Sequence, residues 1–238
     1  MKKLLIVKTG STYESIKQMF GDFEDMLINA LEIQQQSVDV FDAKDEFLIF
    51  PRPDKYAGIV ILGSHDMLTF NEDWMLDLKE WILTITDTET PTLGICFGHQ
   101  AMAEALGGEV DYREWGPEVG YVKVKLASDA YSDILFSSIY DKAGVYQYHS
   151  QTVKVLPKDC ILLGSNNIEF YQILKYNNHM WSCQFHPEFT HEIVAEYIKH
   201  NAIQLTSEGL DPYKLLNRLQ PDESGKKLLK RFLEVCKL

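Results

Sequence analysis

Between Pro91 and Gly108 a strand-length apolar run, Thr92 to Ile95, gives way to a run of strong helix formers, Ala101 to Leu106. Gly107 and Gly108 then stop the helix. Cys96 stands at the junction, between Gly94 and Gly98. This is the G-x-nucleophile-x-G spacing of a sharp strand-to-helix turn, in which small neighbours let the chain reverse and present the middle side chain. A thiol there lies at a helix N-terminus, whose partial positive charge favours thiolate. The N–H of Phe97, the next residue, is aimed at an oxyanion developing beside the sulfur. The competing reading is a buried structural cysteine, the commonest use of a free thiol. Two flanking glycines and the strand-then-helix context favour the nucleophile.

A turn of this kind needs a parallel sheet to carry it. Leu4 to Val7, Val38 to Phe41 and Ile59 to Leu62 are further apolar runs of buried-strand length. A helix with Ile16, Met19, Phe20 and Phe23 on one face follows the first. A second helix, Trp74 to Ile85, carries Trp74, Leu78, Trp81, Ile82 and Ile85 at core-facing spacing. Strand and helix alternating up to Gly108 predict an α/β fold, a mostly parallel sheet with helices on both faces. Active crevices of such sheets lie at the carboxyl ends of the strands, which Gly63, Ser64 and Cys96 share.

The second half reads differently. Val119 to Leu126 alternates, as a half-exposed antiparallel strand does, and further strands are expected at Gly144–Tyr148, Ile161–Gly164, Tyr171–Leu174 and Trp181–Phe185. A helix runs from His191 to about Gln204. The fold class is thus a parallel α/β half joined to an added antiparallel part in one domain, residues 1–205. Residues 206–238 form a helical C-terminal appendage. Tyr213, Leu216, Leu219 and Gln220 fall near one helical face before Pro221, and Leu228, Leu229, Phe232 and Leu233 form an apolar stripe after it. Such stripes must be buried, here against the chain's own domain or, for the second helix, against a partner or a second copy.

A formal net charge of -12 argues against nucleic acid or an anionic membrane as partner, since either demands a basic face. Met1 to Lys8 begins like a signal peptide, but its apolar core is too short and Lys8 interrupts it, so it reads as a first strand. Four cysteines without C-x-x-C spacing offer neither a zinc site nor a disulfide framework, and a reducing, cytoplasmic setting fits. No metal or cofactor is expected.

A cysteine nucleophile needs a base, and the base an orienting group. Of seven histidines, His186 follows the Trp181–Phe185 strand, is fixed by Pro187, and precedes Glu188 by two residues. Residues two apart in extended chain project to the same side, so Glu188 is able to hold one ring nitrogen while the other faces the thiol. On spacing alone a His-Pro-Glu is a weak signal, because a loop histidine beside a surface glutamate is frequent.

Pro91-Thr92-Leu93-Gly94-Ile95-Cys96-Phe97-Gly98-His99-Gln100, taken with Gln184-Phe185-His186-Pro187-Glu188-Phe189, resembles the class I glutamine amidotransferases. The likeness runs in order from about Ile59 to Glu188. It implies a flavodoxin-like sheet with an added antiparallel part, Cys96 as nucleophile, His186 as general base and acid, and Glu188 as orienting carboxylate. Gln100 matches a position that helps hold the glutamine substrate. Gly63-Ser64 matches the loop supplying a second oxyanion N–H, where many members have Gly-Gly-Pro and this chain has Gly63-Ser64-His65. Tyr148-His149-Ser150 matches the segment whose backbone grips the α-amino and α-carboxylate groups. The implied substrate is a small γ-glutamyl compound, glutamine foremost, cleaved through a γ-glutamyl thioester.

The resemblance leaves the fate of the nitrogen open. The chain shows no Gly-rich nucleotide loop, and Ile59 to Ser64, Trp74 and the Gly116-Pro117-Glu118 loop look more like stand-alone members, including γ-glutamyl peptidases, than like synthase-fused domains. A free-standing hydrolase is therefore preferred. An ammonia-supplying subunit with a synthase partner is the alternative, and a catalytically silent binding module the third. Of the remaining residues, His99 reads as packing or helix surface, and His65, His179, His191 and His200 as solvent-facing. Trp115 and Tyr121 are core aromatics or walls of a substrate loop. Cys160, Cys183 and Cys236 lack any base-and-glycine context and read as structural.

Overall fold

The computed structural model describes residues 2–47, 49–139 and 143–238; Met1, the head of the leading run, lies outside them. In chain order the elements are β1 (Leu4–Lys8), α1 (Glu14–Phe20), α2 (Phe23–Leu31), β2 (Val38–Asp42), β3 (Gly58–Ile61), α3 (Asp73–Ile85), β4 (Thr92–Ile95) and α4 (Phe97–Ala105). There follow β5 (Glu109–Tyr112), β6 (Glu118–Leu126), β7 (Ala143–His149), β8 (Gln151–Val155), β9 (Ile161–Ser165), β10 (Ile173–Lys175) and β11 (Met180–Cys183). The chain closes with α5 (His191–His200), α6 (Ala202–Ser207), α7 (Pro212–Arg218) and α8 (Ser224–Cys236). A nine-stranded sheet has the order β2-β1-β3-β4-β11-β10-β9-β6-β7. Its first five strands pair in parallel, and from β11 onward each neighbour is antiparallel. This is the expected α/β architecture with its added antiparallel part.

The parallel strands are buried on both faces because their residues are apolar on both. Leu4 and Ile6 of β1 join one core with α2, α5 and α8, while Leu5 and Val7 join another with α3 and α4. β4 and β11 lie side by side, Ile95 opposite Cys183, so their ends deliver Cys96 and the Gln184–Glu188 segment to one edge.

Several boundaries differ from the sequence reading. The first helix is two, because Gly21 takes φ 82° and Asp22 caps α2 through a reciprocal capping box with Asp25. Met19 consequently faces solvent, while Ile16 and Phe23 are buried. The expected helix from His191 breaks at Asn201 into α5 and α6. The α4 helix begins at Phe97, four residues before the run of helix formers, since Gly98 lies in its first turn. A separate two-stranded antiparallel sheet, β5 with β8, was not expected: Glu109–Tyr112 alternates charged and apolar residues but is only four residues long and largely exposed.

Residues beyond 205 supply the end of α6 and all of α7 and α8. Leu228, Leu229, Phe232 and Cys236 of α8 are buried in the core that contains Leu4, and Lys230 pairs with Glu32 at 2.9 Å. Leu215, Leu216 and Leu219 pack partly against the same core, whereas Tyr213 is exposed. No helix among the described residues is long and apolar enough to cross a membrane.

Candidate active site

Cys96 closes β4 with φ 52° and ψ -99°, backbone that a residue with a Cβ rarely adopts. Such a conformation persists only where its surroundings hold it. Here the Cys96 N–H donates to the Cys183 carbonyl (2.9 Å) and the Gly98 N–H to the Leu62 carbonyl (3.1 Å). Both glycines are required by close approach: a Cβ on Gly98 would lie 2.3 Å from the Ile61 oxygen, and one on Gly94 2.7 Å from the Gly98 oxygen. Phe97, the first residue of α4, has one of the N–H groups that a helix start leaves without an intrahelical acceptor. The thiol is 5% exposed.

After β11 the chain crosses to β7, where the His186 N–H donates to the Tyr146 carbonyl at 2.9 Å. His186 and Glu188 are both buried, and His186 Nδ1 lies 2.7 Å from Glu188 Oε1. The Phe189 ring stacks on the imidazole at 4.0 Å and 9°. Gly63 lies close to both groups: a Cβ there would come within 2.9 Å of His186 Cε1 and 3.6 Å of Cys96 Cβ. Burial disfavours the imidazolium, but the Glu188 carboxylate and the charge and hydrogen bond of Cys96 outweigh it and push His186 up to about 10. An imidazole, a carboxylate and a thiol thus lie together at the strand edge.

In front of the sulfur is a cavity of about 230 Å³, walled by Ser64, Cys96, Phe97, Gln100, Tyr148, His149 and Ser150 among others. Every expected substrate-side residue except Gly63 therefore borders one space, and Gly63 stands between Cys96 and His186. A larger cleft of about 1000 Å³ lies beside Trp81 and Val235, with none of these groups in its wall. Gln100 Nε2 donates to Gln151 O (2.9 Å) and Gln184 Oε1 (3.1 Å), and Ser64 Oγ donates to Asp66 (2.7 Å).

Residues that the sequence reading passed over also border the cavity: Tyr13, Asp66, Met67, Gln151 and Gln204. Gln184 Nε2 donates to Cys96 Sγ at 3.6 Å. Its position was legible, two residues before His186 and hence on the same side. Tyr13 and Gln204 lie far away in sequence and carry no such signal.

The histidines divide. His99 is fully buried, its Nδ1 2.7 Å from Ser182 Oγ, so it packs rather than lying on the surface. His179, expected in solvent, is buried with Nε2 3.4 Å from the Ile85 carbonyl; its strand-end position tucks it under α3. His65 and His200 are exposed and flank the Tyr13 ring, at 4.4 and 3.9 Å, and His191 is half-exposed. Trp115 is 74% exposed, and the Tyr121 hydroxyl donates to Asp222 at 2.9 Å. Burial pushes the Cys160 and Cys236 thiols up to about 12 and Cys183 well above its usual range, which leaves them unreactive.

Among the described residues one group has metal-ligand geometry: Glu118, His149 and Glu169, with donor atoms within 4.8 Å of one another. The Arg113 guanidinium already occupies the cationic position there, 2.6 Å from Glu169 Oε2 and 3.9 Å from Glu118 Oε2.

Residues 16–205 match the family model described as Glutamine amidotransferase class-I. The chain is 28% identical over 229 residues to gamma-glutamyl peptidase 2 of Arabidopsis thaliana, covering 93% of this chain and 91% of that protein. It is 33% identical over 164 residues to the glutamine-hydrolysing GMP synthase of Thermosipho melanesiensis, covering 68% of this chain but only 29% of that protein. Its fold is similar to that of a glutamine amidotransferase from Thermotoga maritima, with TM-score 0.77 at 24% identity, covering 100% of this chain and 99% of the other.

Proposed function

We propose that this chain, which belongs to the class-I glutamine amidotransferase family, is a free-standing enzyme that hydrolyses the amide of a γ-glutamyl compound through a Cys96–His186–Glu188 triad. The observation that carries this reading is Cys96 held at positive φ over the cavity, beside an imidazole whose other nitrogen is 2.7 Å from a buried carboxylate. The thiolate attacks the side-chain amide carbon, giving a tetrahedral oxyanion held by the N–H of Phe97 and one from the Gly63–Ser64 loop. His186 protonates the departing nitrogen and the thioester forms. It then takes a proton from water, whose hydroxide adds to the thioester and releases glutamate. Gln100 and the Tyr148–Ser150 backbone orient the glutamyl part.

The free-standing reading is supported by coverage: the chain spans nearly the whole of the peptidases it resembles, 91% of one and 94% of another. The likeness to the amidotransferase part of GMP synthases supports the second reading, an ammonia-supplying subunit. In either case we propose that the boundary at 205 divides chemistry rather than folding, with residues 1–205 bearing the site and 206–238 completing its core. The working location is proposed as cytoplasmic, from the free thiols. Purified protein assayed on glutamine, glutathione and other γ-glutamyl peptides tests the reading. Glutamate release from peptides without any partner is expected. Release from glutamine alone, and only after adding a synthase fraction, would favour the subunit.

A further inference from the structure

Behind the wall of the cavity lies a buried group of charges that the triad does not use. Glu118 and His149 are opposite each other in the β6–β7 ladder, and His149 Nε2 lies 3.0 Å from Glu118 Oε2. The same oxygen accepts from Gln172 Nε2 at 3.3 Å, and Glu118 Oε1 accepts from Asn166 at 2.7 Å. Glu169 Oε2 accepts from Arg113 (2.6 Å) and from Thr152 (2.7 Å). Arg113 also donates to the carbonyls of Gly116 (3.1 Å) and Ile168 (3.0 Å), fixing both loops. Glu118, His149 and Glu169 are each under 5% exposed.

His149 Nδ1 is 2.8 Å from the Gln151 carbonyl, which only accepts, so Nδ1 carries a hydrogen. On the other side of the ring, Nε2 is held by the Glu118 carboxyl group at 3.0 Å. The Arg113 guanidinium offsets the Glu118 and Glu169 carboxylates in this buried group, and the imidazole is held at both of its nitrogens. Its two bonds clamp the backbone from His149 to Gln151. On that segment the Gln151 carbonyl also takes Gln100 Nε2, and the Tyr148 carbonyl faces Cys96 Sγ at 3.9 Å.

We infer that Glu118 is a positioning residue: by holding the His149 ring through Nε2 it fixes the Tyr148–Gln151 backbone as the substrate-facing wall, with Arg113 and Glu169 bracing it from behind. This rests on the proposal above that the cavity takes the γ-glutamyl group. Glu118 touches no reacting atom, so its loss acts on binding and not on the thiol.

The experiment compares wild type, Glu118→Gln and Glu169→Gln as full chains. It reads the rate of Cys96 alkylation by iodoacetamide, and the glutamine concentration that protects against it. Alkylation without glutamine should stay within about twofold in all three. The protecting concentration should rise about tenfold or more in Glu118→Gln and less in Glu169→Gln, and KM for glutamate release should rise in parallel with kcat little changed. Unchanged protection in folded Glu118→Gln overturns the inference, as does slowed alkylation with unchanged protection. If Glu118→Gln does not fold, unchanged protection in Glu169→Gln overturns it. Wild-type protection without turnover would sink the hydrolase reading alone, whereas no protection in wild type removes the premise and the inference with it.

Discussion

Replacing Gly63 by Ala perturbs the proposed triad without substituting any of its members. The added Cβ would stand 2.9 Å from His186 Cε1, about 0.6–1.1 Å inside the roughly 3.5–4.0 Å at which two carbons rest. The imidazole has little room to shift, because Phe189 stacks on it at 4.0 Å, and Phe189 in turn stacks on Tyr197 at 5.4 Å. Either the ring turns away from Cys96 or the Gly63 loop withdraws, and each moves a group that must meet the thiol or the oxyanion. Displacement approaching about 1 Å at reacting groups costs on the order of 10²-fold in rate. Overpacking itself costs about 1–3 kcal/mol, which at about 2–4 °C per kcal/mol for a chain of this length lowers Tm by several degrees. Steady-state glutamate release, with Tm measured alongside, reads both. We expect kcat to fall 10- to 100-fold with a modest drop in Tm, and Phe189→Leu in the same background to recover part of the rate by freeing the ring. A folded Gly63→Ala enzyme with kcat within about threefold of wild type would refute the packing argument.

Glu188→Gln keeps the shape but not the charge behind His186 Nδ1, and should lower kcat by about 10²–10⁴-fold with KM little changed; wild-type kcat would remove Glu188 from the triad. Asp22 is buried, ion-paired to Lys8 (2.7 Å) and Lys17 (3.0 Å); despite its burial, these and the Thr12 N–H hold its carboxyl well below the usual range. The unfolded chain therefore takes up this proton first, so the stabilisation is complete above about pH 4 and drains away as the pH falls further. Tm followed from pH 6 to pH 2 should fall more steeply below pH 4 in wild type than in Asp22→Asn, which should already have lost on the order of 3 kcal/mol at neutral pH; parallel curves would contradict this. Phe232→Ala empties a fully buried site shared by α8 and the sheet and should cost about 3–5 kcal/mol, whereas an unchanged Tm would show α8 to be loosely attached.

The parallel half was legible because its strands are buried on both faces and so read as unbroken apolar runs, Leu4 to Val7 and Ile59 to Leu62 among them. The turn at Cys96 was legible through Gly94 and Gly98, whose missing Cβ atoms let β3, β4 and α4 approach. The first turn of α4 was obscured for the same reason, since glycine lowers helix propensity where packing demands it. The break at Gly21 was available in the Asp22 and Asp25 spacing but was outweighed by an apolar periodicity that ran through it. The β5–β8 pair joins a four-residue, largely exposed strand to the mostly buried Gln151–Val155, and neither carries an apolar run long enough to announce it. Residues brought to the cavity from far along the chain, Tyr13 and Gln204, depend on how α1 and α6 pack and leave no local trace. The Glu118–His149 pair is likewise a matter of cross-strand register, which one strand's sequence does not contain.

The central proposal is that Cys96 is the nucleophile toward a γ-glutamyl amide. A glutamine analogue bearing an electrophilic ketone, incubated with the native protein and followed by peptide mass spectrometry, tests it most directly. One equivalent of label is expected on Cys96, prevented by excess glutamine, with complete loss of glutamate release and with Cys160, Cys183 and Cys236 unmodified. Label on any of those three, or full labelling of Cys96 with glutamate release intact, would contradict it.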